Sequence, residues 1–204
     1  MTASQRPRLR QSSRTAQRGL ADVATGGSAF PLPGTEAQVS MSLATIMLDQ
    51  LSKARQVVEG GQEVLPRWRI TSSEGNSLIV TQFNTDVPEQ RQRALSLVGR
   101  FMVWKLATSY VLTAQTWQGP AGRRSDEALL VVGVSRHEQL AVIQRIQRGE
   151  VVGFEDPAWL SPHQVDRQYF EMLPGGRTEI SAEEAAGLAG IFGKNGELRA
   201  ERVS

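Results

Sequence analysis

Arg123, Arg124, Asp126 and Glu127 stand together in one short stretch, and His137 comes ten residues after Glu127. By type and spacing these are the residues best suited to chemistry. Two guanidinium groups can hold an anionic group through charge-assisted hydrogen bonds, and a carboxylate with an imidazole can move protons. The preceding Gly119-Pro-Ala-Gly-Arg-Arg-Ser125 invites comparison with a phosphate loop, but it lacks Gly-x-x-x-x-Gly-Lys-Ser/Thr. It also leads into an apolar strand pattern rather than a helix, so no helix dipole would face the anion. Loops carried on rigid sheets often hold function, which makes 118–138 the candidate ligand region. The plainer use is a soluble connector in which Asp126 and Glu127 neutralise the arginines. Glu127 and His137 meet only if their strands bend back to one end of the sheet. Straight strands put them at opposite ends.

Other chemistries find less support. His137 and His163 are the two histidines, far apart, so a three-histidine zinc site is impossible and no metal is expected. Cysteine is absent, which removes thiolate catalysis and disulfides. No Gly-x-Ser-x-Gly elbow presents a serine, and Ser125, Ser135 and Ser161 sit where turns and caps want them. The pairs Glu155-Asp156 and Glu183-Glu184 suit a turn and a helix first turn respectively. Trp68 and Trp117 lie near Arg67, Arg69 and Arg123, an aromatic-plus-arginine pattern that would suit nucleic acid. Core packing is the commoner use of such tryptophans. Trp104 falls in a helical pattern beside Lys105, which predicts partial burial. No cofactor motif is present.

The elements that must position these residues read clearly from 64 to 148. Leu43, Ile46, Met47, Leu51, Ala54 and Val58 have helical spacing, with Ser40 or Ser42 as cap and Gly60-Gly61 as stop. A hairpin comes next, its strands flanking Ser73–Asn76 and its positive-φ positions assigned to Gly75 and Asn76. Pro66 places the first strand at an edge or starts it later. Asp86, Pro88 and Glu89 mark a helix start, and Leu95, Val98, Met102 and Leu106 form its stripe. Tyr110–Trp117 is a third strand. Glu127–Val134 is a fourth, apolar on both sides as in a central strand. Leu140–Arg148 is a fifth that grows polar like an edge. The segment 158–193 reads as helical, with capping boxes at Ser161 and Ser181. The expected fold is α+β: two layers, a mainly antiparallel sheet of about five strands with helices packed on one face.

At 204 residues, 40% hydrophobic and 22% charged, the chain suits one soluble domain, taken as 39–204. No apolar run reaches the roughly 18–20 residues that span a bilayer, so no membrane role and a cytoplasmic location are expected. The calculated pI near 9.4 comes from the N-terminus. Arg6, Arg8, Arg10, Arg14 and Arg18 against Asp22 and Glu36 give residues 1–38 a net +3; the whole chain is +2, which leaves the body at −1. Residues 1–38 have almost no large apolar side chains before Phe30 and are expected to be a disordered tail. Three uses fit it: a solvated terminus, a cationic arm on phosphates, or an organellar leader. Translation from Met41 would omit it. The sequence specifies a fold and does not specify a reaction. The favoured expectation is a non-enzymatic binding or assembly module with a protein partner or a second copy. Nucleic-acid association through the tail and an enzyme sited near 118–138 are the alternatives.

Overall fold

The computed structural model describes residues 41–83, 87–118, 126–173, 179–193 and 198–203. All of the elements below belong to the compact unit Ser40–Ser204. Helix α1 (Leu43–Glu59) begins where the Ser42 hydroxyl accepts from the Thr45 amide at 3.2 Å. Its buried Leu43, Met47, Leu51, Ala54 and Val58 form the apolar stripe that seats it on a sheet. Gly61 then takes a φ of 74°, and the amides of Gly61 and Gln62 bond back to Val58 and Val57.

Strands β1 (Arg67–Ser72) and β2 (Gly75–Val80) make the hairpin around Ser73-Glu74. Gly75 carries the positive φ, 105°, but Asn76 does not. Asn76 pairs with Thr71 inside the ladder, and its Oδ1 accepts from the Thr71 hydroxyl. Strand β1 starts just after Pro66 and is central, lying between β2 and β3.

Helix α2 (Pro88–Trp104) opens with Pro88 at its first position and Glu89 in its first turn. Its cap residue is Val87, with no side-chain cap bond, and Asp86 lies outside the described residues. Leu106 ends the helix at a φ of 51° and is exposed, so the stripe stops at Met102.

Strands β3 (Ala107–Gln118), β4 (Asp126–Ser135) and β5 (Gln139–Gln147) form an antiparallel meander. Two short strands, β6 (Gly153–Phe154) and β7 (Ala158–Leu160), pair with β5. Helix α3 (Ala182–Ile191) is capped by Ser181, and β8 (Arg199–Val203) pairs with β2. The fold is α+β, with one eight-stranded antiparallel sheet in the order β6-β5-β4-β3-β1-β2-β8 and β7 also on β5.

Four further expectations need correction. The sheet has eight strands rather than about five, because β6, β7 and β8 are too short or too polar to show apolar alternation. Strand β5 is therefore not an edge: β7 covers Ala141–Ile143 and β6 covers Ile146–Gln147. The helices do not share one face. Val111, Leu129, Val131 and Val142 pack with α1, while Trp68, Ile70, Leu112, Val132 and Val134 pack with α2 and α3. Successive strand residues point to opposite faces, so a strand apolar at every position needs cover on both. Finally, the Ser161 capping box forms but opens a single 3₁₀ turn, Pro162–Gln164; Asp166 then caps a second such turn, Arg167–Tyr169. Val165, Tyr169, Phe170 and Leu173 still pack into the α2-side core, without a long helix. Among the described residues no helix is long and apolar enough to cross a membrane.

Gly133 sits where α1 meets β4. A Cβ built there would lie 2.4 Å from Met47 Sδ and 3.1 Å from Leu43 Cγ, so the absence of a side chain sets how closely the helix approaches.

Candidate functional site

Antiparallel pairing separates the expected cluster. Glu127 lies at the start of β4, and His137 lies in the turn beyond its end. That is roughly 25 Å along the strand at about 3.3 Å per residue. His137 is exposed and its amide bonds the Ser135 hydroxyl, which is turn chemistry. Asp126 is exposed beside Gln118 on β3. Arg123 and Arg124 lie outside the described residues, as do Arg6, Arg8, Arg10, Arg14 and Arg18.

Glu127 is buried and held from two sides. Arg148 donates Nε to Oε2 and Nη2 to Oε1, each at 2.6 Å, in a bidentate pair. The Gln115 amide nitrogen donates to the same carboxylate, and Gln115 Oε1 accepts from the Val64 amide at 2.8 Å. Burial raises the cost of the charge, but the hydrogen bond from Arg148 outweighs it, and the carboxyl is held below its ordinary value. An acid so firmly ionised, with both oxygens engaged, is a tie between strands and a poor proton shuttle near neutrality. Tyr110 is used in a similar way: its hydroxyl donates to the Tyr169 carbonyl, and burial pushes its pKa upward.

The aromatic-plus-arginine pattern also comes apart. Trp68 is buried under α2, whereas Arg67 and Arg69, one residue to either side, point to α1. Trp104 is partly buried, edge-on to Phe101 and under Lys105 Nζ, as its helical position implies. His163 occupies the first 3₁₀ turn. Among the described residues no three of His, Asp and Glu gather as metal ligands would.

Two surface features were not legible as sites in the sequence. One is an open groove of about 410 Å³ between α2 and the 168–173 segment, lined by Leu95, Ser96, Gly99, Val103, Met172 and Leu173. Arg100 at the groove is occupied by Glu184 and Glu171 by Arg167, so its charges are already compensated. Gly99 is mid-helix, and nothing lies within 4 Å of where its Cβ would be. The other is the corner between α1 and β1, where Arg67, Arg69 and Lys53 surround the single carboxylate of Asp49. The only sequence signals were a glycine that interrupts a helical stripe and the Arg-Trp-Arg alternation. Neither reports on what lies opposite in space. Comparison with family models, curated proteins and solved structures finds no match to this chain.

Proposed function

We propose that this chain is a non-enzymatic binding or assembly module, and that its contact surface is the groove along α2, which takes an apolar segment of another polypeptide. The observation that carries this is Gly99. A glycine inside a helix costs about 0.5–1 kcal/mol relative to alanine. No atom of the described fold would collide with a side chain at this position, so packing among the described residues does not account for it. A partner backbone that approaches the helix closely does. The paired charges at the groove favour the same reading, because they leave apolar and backbone contact as the means of recognition. The commitment of Glu127 and Tyr110 to architectural bonds adds support.

Gly99→Arg is the discriminating variant. It improves helix propensity and projects a long side chain into the groove. Sedimentation should give the wild-type chain a mass above 22.4 kDa, or immobilised chain should capture a defined partner. The variant should lose either association at an unchanged or higher thermal midpoint. A strictly monomeric wild type that captures nothing counts against the proposal, as does association that Gly99→Arg leaves intact.

A further inference from the structure

We propose that the corner between α1 and β1 is an oxyanion site in which the Arg67 and Arg69 guanidinium groups hold a carboxylate or a phosphate group. It lies on the face of the sheet opposite the α2 groove and does not rest on the function proposed for that groove.

The charge balance at this corner is uneven. Asp49 Oδ2 accepts from Lys53 Nζ at 2.8 Å and from Gln50 Nε2 at 3.1 Å, and Arg69 Nη1 stands 3.6 Å away. That oxygen is largely committed to its own helix neighbours, and Arg69 makes no hydrogen bond to it. Arg67 has no carboxylate within 4.0 Å among the described residues, and its one hydrogen bond runs from Nη2 to the Gln50 carbonyl at 3.3 Å. Burial lowers the Arg67 pKa, and only the more distant charge of Asp49 opposes that. In both arginines Nε is buried without an acceptor among the described residues. Among the described residues three cations thus face one carboxylate, and two guanidinium groups retain uncommitted donors.

Partly buried positive charge of this kind is costly unless an opposite charge is brought in. Guanidinium forks match carboxylate and phosphate oxygens geometrically, so an oxyanion is the ligand class this corner fits. The two arginines lie two residues apart on one strand, so their side chains share a face roughly 6–7 Å apart, close enough to grip one group between them. The Arg69 side chain keeps 18% of its surface exposed, so the corner is open to solvent.

The test tracks the Nε–H signals of Arg67 and Arg69 by ¹H–¹⁵N NMR in the full chain. The protein is titrated with sodium phosphate, sodium acetate or sodium chloride at matched ionic strength. The expected result is a saturable shift of both signals with phosphate or with acetate but not with chloride. The arm that saturates at lower concentration identifies a phosphate-type or a carboxylate-type ligand. Arg67→Gln and Arg69→Gln should each weaken binding by about tenfold or more. Arg67→Lys, which keeps the charge but loses the fork, should fall between them and the wild type. If Arg67→Gln does not fold, Arg69→Gln carries the comparison. Shifts that stay linear and equal in all three salts overturn the proposal, and so does saturable binding that persists unchanged in the Gln variants. Gly99→Arg should leave these titrations untouched, which keeps this outcome separate from the fate of the groove.

Discussion

Gly133 and Met47 occupy one volume. Gly133→Ala places a methyl group inside the contact distance of Met47 Sδ, and overpacking of this kind costs about 1–3 kcal/mol. Chemical denaturation of Gly133→Ala, Met47→Ala and the double variant should show a double-variant cost well below the sum of the singles. Additive costs would mean that the two positions do not share space. Glu127 gives a second prediction at this scale. Its folded pKa lies below the ordinary 4.5, so its contribution is complete above that value and is lost as pH falls through the lower folded value. Glu127→Gln should cost about 1–2 kcal/mol at neutral pH, an amount kept modest because the Arg148 side chain is half exposed. The gap between the two stability curves should narrow once pH falls below the ordinary 4.5 and close as pH passes below the lower folded value. A constant gap would exclude the ion pair as its source. Alternation alone puts Glu127 on the side of Leu129 and Val131. That Gln115 and Arg148 meet it there depends on a register set by residues far away in sequence, and no local pattern records it.

At the scale of elements, the strongly periodic segments are legible in the sequence and the weakly periodic ones are not. Helix α1 and strands β3 to β5 each bury a stripe or a face, so their apolar spacing carries the information. Strand β8, Arg-Ala-Glu-Arg-Val, buries little and reads as a polar tail, although it completes an edge of the sheet. The Ser161 cap is legible, but the length of the helical segment it opens is not. Asp166 restarts the backbone two residues after the first turn, and a cap signal carries no length. The end of α2 is hidden for a similar reason: Leu106 continues the apolar spacing but adopts left-handed backbone in solvent. A leucine there is strained, and its side chain is 66% exposed, so it gains little from burial. Leu106→Gly should therefore raise stability by about 1 kcal/mol and increase the thermal midpoint. A fall in the midpoint would show that Leu106 makes contacts that outweigh its backbone strain.

Across the compact unit, β4 is the wall shared by two cores, one roofed by α1 and the other by α2 and α3. That three-layer arrangement results from β4 being apolar at almost every position. A strand like that cannot be satisfied by helices on one side alone, so cover on both faces is already implicit in the Glu127–Val134 pattern. The chain returns at its C-terminal end to close the sheet beside β2. Truncation after Gly193 removes β8 and Leu198, which is 3% exposed. Loss of that leucine alone is worth about 1.5–3 kcal/mol. It also bares the β2 edge, so the truncated chain should both melt earlier and self-associate more in light scattering. Unchanged melting and scattering would show that β8 is dispensable.

The Arg67-Trp68-Arg69-Ile70 alternation has one more consequence. If β1 were to pair one residue out of step, two guanidinium groups would enter the apolar layer beneath α2, while an indole and an isoleucine turned toward α1. A slipped β1 is therefore heavily penalised in the assembled sheet. The alternation that carries the two arginines of the proposed anion site also guards the register of the fold.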